Sequence, residues 1–347
     1  MKICHVNLAS GYHGGENQTL ALIQQQLAMG YQLTVVANPK SPFAKAVDAL
    51  NCQLVLAKNF FQAHRASVTA DCQLVHVHEG RAIYWALLQK QLYKIPYIVT
   101  RRIDNPLSKK WSTNLAYENA AAVIGLSREI VQRIRAAYPQ CMLHQIPSSP
   151  IRYPVDSEQV LAIKKQFGQK FIVIHAAHML KHKGFDVSIA AARLLQNHHP
   201  HIHFVLLGDG VERAALEKTA ADLHNLTFMG KQNNMGTWFK AADLQIHPSY
   251  TEGLGSVILE GLHSGLPVIA SNAGGIPDII DHEISGLLIE PGNAQALANA
   301  IIRLHQDADL RQRLLVGATE KLKAFLIEHT ALRYQHIYQQ VGRGPTT

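Results

Sequence analysis

Along the chain, short runs of β-branched and apolar residues alternate with longer stretches in which apolar positions recur every three or four residues. The first kind of run reads as a buried strand and the second as an amphipathic helix. In the first 150 residues the pattern predicts strands at Ile3–Asn7, Gln32–Val36, Gln53–Leu56, Leu74–Val77, Tyr97–Val99 and Ala122–Ile124. A last strand near Met142–Ile146 closes the set, and helices at Glu16–Met29, Ala82–Leu92 and Arg128–Ala137 lie between. Strands alternating with helices imply a parallel sheet in a Rossmann-like α/β domain. Pro147-Ser-Ser-Pro-Ile-Arg-Tyr-Pro154 then reads as a stiff, irregular connection.

Beyond it the alternation restarts. Strands are predicted at Phe171–Ala176, His203–Leu207, Leu226–Phe228, Leu244–His247, Pro267–Ala270 and Gly286–Ile289. Helices are predicted at Lys183–Gln196, Glu212–Leu223, Ser256–Ser264 and Ala294–His305. The final stretch, Asp309–Val341, reads as helical and is too long for one crossover. The expected organisation is a domain over 1–150, a second Rossmann-like domain over 151–325, and a terminal helix over 326–347 able to pack back on the first. Two facing domains of this kind are expected to hold ligands in a cleft outside the strand C-termini.

A length of 347 residues suits about two domains, and 47% apolar with 17% charged residues is a soluble globular composition. No run of about 18 apolar residues suggests a membrane span. The N-terminus turns polar too soon for a secretory signal. Cys4, Cys52, Cys72 and Cys141 contain no Cys-x-x-Cys pair and read as reduced thiols of a cytoplasmic protein. The charge adds a further element. Residues 1–150 hold 15 Lys and Arg against 7 Asp and Glu, whereas the remainder holds 18 against 18, so the whole net charge of +8 lies in the first half. Arg101, Arg102, Lys109 and Lys110 are its densest group. Such asymmetry suits an anionic partner such as a membrane surface, or simply a solvated basic face. No basic stripe with interleaved aromatics points to nucleic acid.

Four segments carry candidate chemistry. Gly14 and Gly15 stand where the first strand's loop enters a helix, and glycines there let backbone amides approach a phosphate or sugar, or merely make a tight turn. The spacing is not Gly-x-Gly-x-x-Gly. His76, His78 and Glu79 end another strand, where alternation puts the two imidazoles on one face. A metal pair is one reading, without a third ligand placed by the sequence. A polar residue contacting substrate is the favoured one. In His178-Met-Leu-Lys-His-Lys-Gly-Phe185, Lys183 and Gly184 open the next helix. A lysine there could neutralise a diphosphate or could simply be solvated.

The fourth segment runs from Pro248 to Pro267. Glu252 lies in a glycine-bearing loop, and Gly253 and Gly255 expose amides at a helix start. Glu260 lies within the helix, about 7 Å further along its axis from Gly255. Two carboxylates so offset can each grip a diol, with a diphosphate between. The same spacing recurs at Glu320 and Glu328 in a stretch that reads as structural, so context and not spacing distinguishes the pair.

Taken together these residues resemble the family 4 glycosyltransferases, the retaining, GT-B-fold enzymes of group 1 type. The resemblance spans nearly the whole chain. It rests on Gly14-Gly15-Glu16, His78, Lys183-Gly184-Phe185, Leu207-Gly-Asp-Gly210, Phe228-Met-Gly230, the Glu252–Glu260 pair and Gly265-Leu-Pro-Val-Ile. It implies a metal-independent enzyme with no cofactor, whose donor is a nucleotide-diphosphate sugar. Glu252 would meet the transferred sugar and Glu260 the ribose diol. The amides of Gly253, Leu254 and Gly255 would serve sugar and phosphate, and Lys183 would hold the leaving diphosphate. Gly14 and Gly15 would approach the donor phosphates, and His78 would lie near the reacting carbon.

The family often has Gly-Arg where this chain has Ala177 and His178, which leaves His178 as a weaker donor-side cation. The linker reads Ile-Pro-Ser-Ser-Pro where the family has Ile-Pro-Asn-Gly. The basic first domain would serve the acceptor through Glu16, Arg101 and Arg102, the Arg101–Pro106 segment following a strand end. A UDP-hexose donor and a lipopolysaccharide-core, other surface-glycan or lipid-linked acceptor are expected. The expected location is the cytoplasm, peripheral on the inner face of the membrane. A nucleotide-sugar epimerase and a non-catalytic sugar-nucleotide-binding protein are the alternatives on the same fold.

Overall fold

The computed structural model describes residues 1–102, 107 and 110–342. Ile103, Asp104, Asn105, Pro106 and Lys109, part of the basic acceptor-side segment singled out above, lie outside the described residues. The chain forms two compact units, one of residues 1–149 and 325–347 and one of residues 150–324.

The first unit is a seven-stranded parallel sheet of β1 (Lys2–Asn7), β2 (Gln32–Ala37), β3 (Gln53–Leu56), β4 (Leu74–Val77), β5 (Tyr97–Arg101), β6 (Ala122–Gly125) and β7 (Leu143–Gln145). Its order is β3-β2-β1-β4-β5-β6-β7. The chain builds outward from β1 to β3, then returns to place β4 on β1's other side. The sheet therefore switches direction between β1 and β4, where register sets His5 beside His76. The core is the apolar face of β1 and β2 (Ile3, Leu33, Val35) packed on Leu22 and Ile23 of the helix Gly14–Ala28. Each such fully buried side chain contributes about 1.5–3 kcal/mol.

The second unit is a six-stranded parallel sheet of β8 (Phe171–Ala176), β9 (Ile202–Leu207), β10 (Leu226–Gly230), β11 (Leu244–His247), β12 (Val268–Ser271) and β13 (Leu287–Ile289). Its order, β10-β9-β8-β11-β12-β13, puts the switch between β8 and β11.

Several boundaries differ from the sequence expectation. Lys183 does not open a helix. It closes a single 3-10 turn, Lys181–Lys183, and the helix starts at Phe185. Gly184 separates them at φ +72°, and a Cβ there would stand 2.0 Å from the Pro248 carbonyl oxygen. The backbone geometry that only glycine tolerates thus interrupts the apolar periodicity. The terminal helical stretch is also not continuous. It divides into Ala308–Leu322, a 3-10 turn at Lys323–Phe325, and Ile327–Val341. The last helix completes the core of the first unit with Ala331, Tyr334, Ile337 and Tyr338. Helices Trp111–Glu118, Ser157–Phe167 and Met235–Ala241 are not among those read from the sequence, although Val160, Ile163 and Phe167 of the second recur at helical spacing. No helix among the described residues is long and apolar enough to cross a membrane.

Candidate active site

In the second unit the loops after β8, β11 and β12 are pinned to one another at the C-terminal edge of the sheet. The Tyr250 amide donates to the His182 carbonyl at 2.8 Å, and the Gly275 amide donates to the Glu252 carbonyl at 2.8 Å. Gly274, at φ +57°, lets that second contact form, since a Cβ there would stand 2.1 Å from the Glu252 carbonyl oxygen. These ties bring Lys183, from the β8 loop, and Glu252, from the β11 loop, to the switch point of the sheet.

The ammonium of Lys183 donates to Glu252 Oε2 at 2.6 Å, with the two side chains 17% and 14% exposed. His247 Nε2, at the end of β11, donates to the same oxygen at 2.9 Å, and Ser249 Oγ lies 3.0 Å from that nitrogen. Burial raises the Glu252 carboxyl, but the His247 hydrogen bond and the Lys183 charge outweigh it and hold the group down at about 2. Glu252 is therefore ionised throughout the neutral range, with both stabilising donors on one oxygen. Leu254 is buried, and the amides of Gly253, Leu254 and Gly255 donate to nothing within the described residues. The loop ends at Gly255, φ +90°, which caps the helix Ser256–His263.

Glu260 is buried on that helix. Burial pushes its carboxyl up to about 8, against the opposing effect of a hydrogen bond from Tyr153. The two carboxylates of the sequence pattern thus stand in opposite protonation states at pH 7, one bare and one protonated. His178, after β8, is exposed, and its side chain makes no hydrogen bond among the described residues. His247, Ser249 and Tyr153 were not found from the sequence. His247 ends a strand five residues before Glu252, which is the signal that could have found it.

The first unit gathers a second group at its own switch point. Gly14 and Gly15 open the helix after β1, with Gly14 exposed. Glu16 caps that helix. Its carboxylate accepts from the His13 amide at 2.9 Å and from Asn7 Nδ2 at 3.3 Å. His78 follows β4 and is 4% exposed. Its Nε2 lies 2.8 Å from His5 Nδ1, and its Nδ1 lies 3.4 Å from Arg102 Nη2. Arg101 reaches Tyr117 Oη at 3.4 Å.

Glu79 is not with these rings. Its two oxygens accept from the Arg81 and Ala82 amides at 2.8 Å, capping the helix Ala82–Tyr93. The third imidazole beside His76 and His78 is His5, from β1, with ligand-capable atoms of the three within 4.8 Å of one another.

Residues 156–320, which make up most of the second unit, match the family model described as glycosyl transferases group 1. Residues 156–320 are a group 1 glycosyltransferase domain. The chain is 36% identical over 156 residues to the lipopolysaccharide core biosynthesis glycosyltransferase LpsD of Rhizobium meliloti, a match covering 44% of each chain. It is 31% identical over 189 residues to the N-acetyl-alpha-D-glucosaminyl L-malate synthase of Bacillus anthracis, covering 52% of this chain and 49% of that one. The chain thus spans about half the length of these curated relatives. Among solved structures, Anabaena HepE in complex with UDP-glucose superposes with a TM-score of 0.84 at 18% identity, covering 98% of this chain and 100% of that one. The α/β architecture with two parallel sheets is that of the GT-B glycosyltransferases. In the second unit Lys183 lies in the β8 loop, Glu252, Gly253, Leu254 and Gly255 in the β11 loop and Glu260 on the helix that loop enters, whereas Gly14, Gly15, Glu16, His78, Arg101 and Arg102 belong to the other unit.

Proposed function

We propose that this chain transfers a hexosyl group, with retention at the anomeric carbon, from a nucleotide-diphosphate sugar to a glycan or glycolipid acceptor. A UDP-hexose is the favoured donor and a lipopolysaccharide-core or similar surface glycan the favoured acceptor. The reading rests on one observation above all. A lysine, an ionised carboxylate and a run of undonated amides meet at the switch point of the second unit's sheet, where open α/β sheets bind ligands. The chemistry such a set offers is charge stabilisation and positioning.

Lys183 takes the leaving diphosphate, and the free Oε1 of Glu252 accepts a hydroxyl of the transferred sugar. The Gly253–Gly255 amides donate to sugar and phosphate oxygens, and Glu260 takes the ribose diol. His78 serves the transferred sugar from the first unit, and Arg101 and Arg102 serve the acceptor. The bond between the anomeric carbon and the phosphate oxygen breaks as the acceptor hydroxyl attacks the same face. The acceptor's proton passes to the departing phosphate, so that the products are a glycoside and a nucleoside diphosphate. Glu252, held by Lys183 and His247, acts as an anchor for the sugar and is not a nucleophile. No metal or cofactor is assigned a role. The relative named for lipopolysaccharide core biosynthesis supports the acceptor class, the HepE complex supports the donor class, and the charge of the first half supports work at an anionic membrane surface.

The test is thermal denaturation with UDP, GDP, UDP-glucose, UDP-galactose, UDP-N-acetylglucosamine and GDP-mannose, with and without EDTA, on wild type, Lys183→Ala and Glu260→Ala. A uridine nucleotide should raise the wild-type midpoint regardless of EDTA and leave both variants unmoved. Absence of a shift with every sugar nucleotide would overturn the proposal. Proton NMR of the product's anomeric coupling then tests retention.

A further inference from the structure

The buried polar groups of the first unit form two hydrogen-bonded chains that diverge from one amide, that of Gln26. Gln26 Oε1 lies 2.7 Å from His5 Nε2, and His5 Nδ1 lies 2.8 Å from His78 Nε2. On its other side, Gln26 Nε2 lies 3.0 Å from the hydroxyl of Tyr338, which is 2.7 Å from His76 Nδ1. His76 Nε2 lies 2.7 Å from Thr100 Oγ1, and that hydroxyl is 2.9 Å from Tyr334 Oη. All these side chains are buried, so an unsatisfied donor or acceptor would cost about 1–3 kcal/mol.

The protons can be counted along the first chain. A guanidinium only donates, so Arg102 Nη2 needs a bare Nδ1 on His78. A neutral His78 then carries its proton on Nε2 and donates it to His5 Nδ1. His5 in turn carries its proton on Nε2 and donates to Gln26, which must present its oxygen there and its NH2 group to Tyr338. Every link agrees in sense. Turning the Gln26 amide over would reverse both chains and leave His78 Nδ1–H facing Arg102, donor against donor. Burial keeps the three imidazoles neutral, lowering His5 to about 4 and placing His76 and His78 well below the ordinary range.

We infer that His5, Gln26 and Tyr338 are positioning residues that fix His78 in its Nε2–H tautomer, so that the C-terminal helix Ile327–Val341 supports the candidate catalytic histidine through its tyrosine hydroxyl. The inference rests on the reading that His78 serves the transferred sugar. The same chains account for the nitrogens of the three rings without a metal ion.

The experiment uses the full chain with 15N-labelled imidazoles, His78 being assigned by the loss of its signals in His78→Gln. Wild type should show His78 as a neutral Nε2–H ring from about pH 6 to about pH 8. In an Arg102→Met background, where nothing else requires a bare Nδ1, His5→Phe removes the acceptor and should release His78 into a mixture of tautomers, whereas His5→Asn keeps an acceptor and should hold the ring. In the same Arg102→Met background Tyr338→Phe, which deletes one oxygen and frees the Gln26 amide to turn, should give a partial mixture and keeps the test open if His5→Phe does not fold. With a donor and acceptor in hand, kcat should fall about tenfold in His5→Phe with KM for the donor within about twofold, and His5→Asn should recover most of it. An unchanged tautomer in both His5→Phe and Tyr338→Phe in the Arg102→Met background overturns the inference. So does one equivalent of a transition metal in the purified protein that is lost in His5→Asn. The tautomer is read without turnover, so failure of the transferase reading would show separately as absent donor binding.

Discussion

Lys183 and Glu252 form an ion pair of 2.6 Å between two loops that follow neighbouring strands of one sheet, and the Glu252 oxygen that Lys183 reaches is the one His247 also holds. A bound diphosphate would compete for the ammonium, while His247 would keep the carboxylate in place. Lys183→Ala should therefore lower kcat/KM by roughly 10²–10³ and also cost stability, because it leaves the Glu252 carboxylate with His247 alone. His247→Phe should cost stability in the same way, leaving Lys183 alone on the carboxylate, but should lower activity less because the ammonium that would meet the diphosphate remains. Paired steady-state kinetics and urea denaturation separate the two, and an equal loss of kcat/KM from both changes would refute the assignment.

The pH dependence of that pair has a definite sign. Glu252 moves from the ordinary 4.5 to about 2 on folding. Its contribution to stability is complete above about 4.5 and is lost as the pH falls through about 2. Glu252→Gln should lose stability relative to wild type at pH 7, and the gap should narrow on acidification. Urea midpoints at pH 7, 5 and 3 read this directly, and a gap independent of pH would rule it out.

Glu260 has the opposite sign. Its carboxyl rises from 4.5 to about 8 in the fold, so its contribution is whole below about 4.5 and is lost as the pH rises through about 8. A diol donating to the carboxylate favours the ionised form, so donor binding at neutral pH should release close to one proton. Affinity should rise with pH up to about 8. Titration calorimetry in two buffers of different ionisation enthalpy measures the proton count. Glu260→Gln should abolish the release and weaken the nucleotide roughly 10- to 100-fold, and a release that survives the change would point to another group.

Two glycines test whether the loop ties place the pair. Gly184→Ala and Gly274→Ala put a Cβ 2.0 Å from the Pro248 carbonyl oxygen and 2.1 Å from that of Glu252, at φ +72° and +57°. Each should destabilise the protein by about 1–3 kcal/mol or more and reduce activity further than the stability loss explains. Gly14→Ala meets nothing within 4 Å and should leave stability nearly unchanged.

What was legible in the sequence follows from range. The strands could be read because β-branched runs are local, and Glu252, Gly255 and Glu260 because they occupy one loop and the helix it enters. The start of the Phe185–Leu195 helix was misplaced because Gly184's conformation is dictated by Pro248, a neighbour in space and not in sequence. His5 was invisible as a site residue for the same reason. Its partners His78 and Gln26 become neighbours only once β1 pairs with β4 and the first helix packs on them, and Tyr338 comes from the far end of the chain. Glu79 follows His78 at the same strand end, but its carboxylate caps the next helix.

His178 offers a prediction of gain. The family pattern puts an arginine where His178 stands, and here the side chain is exposed with its backbone carbonyl tied to the Leu180 amide at 2.8 Å. The turn that carries it is therefore fixed by main-chain contacts that a substitution leaves alone. In the same loop Lys183 is already engaged by Glu252. His178→Arg adds a permanently charged, forked donor suited to phosphate, and should raise kcat/KM about three- to tenfold at low salt, with the gain shrinking as ionic strength rises. His178→Ala should cost little by comparison. If arginine brings no gain while Lys183→Ala still abolishes nucleotide binding, the diphosphate is held by Lys183 and the loop amides alone, and position 178 lies outside the donor site.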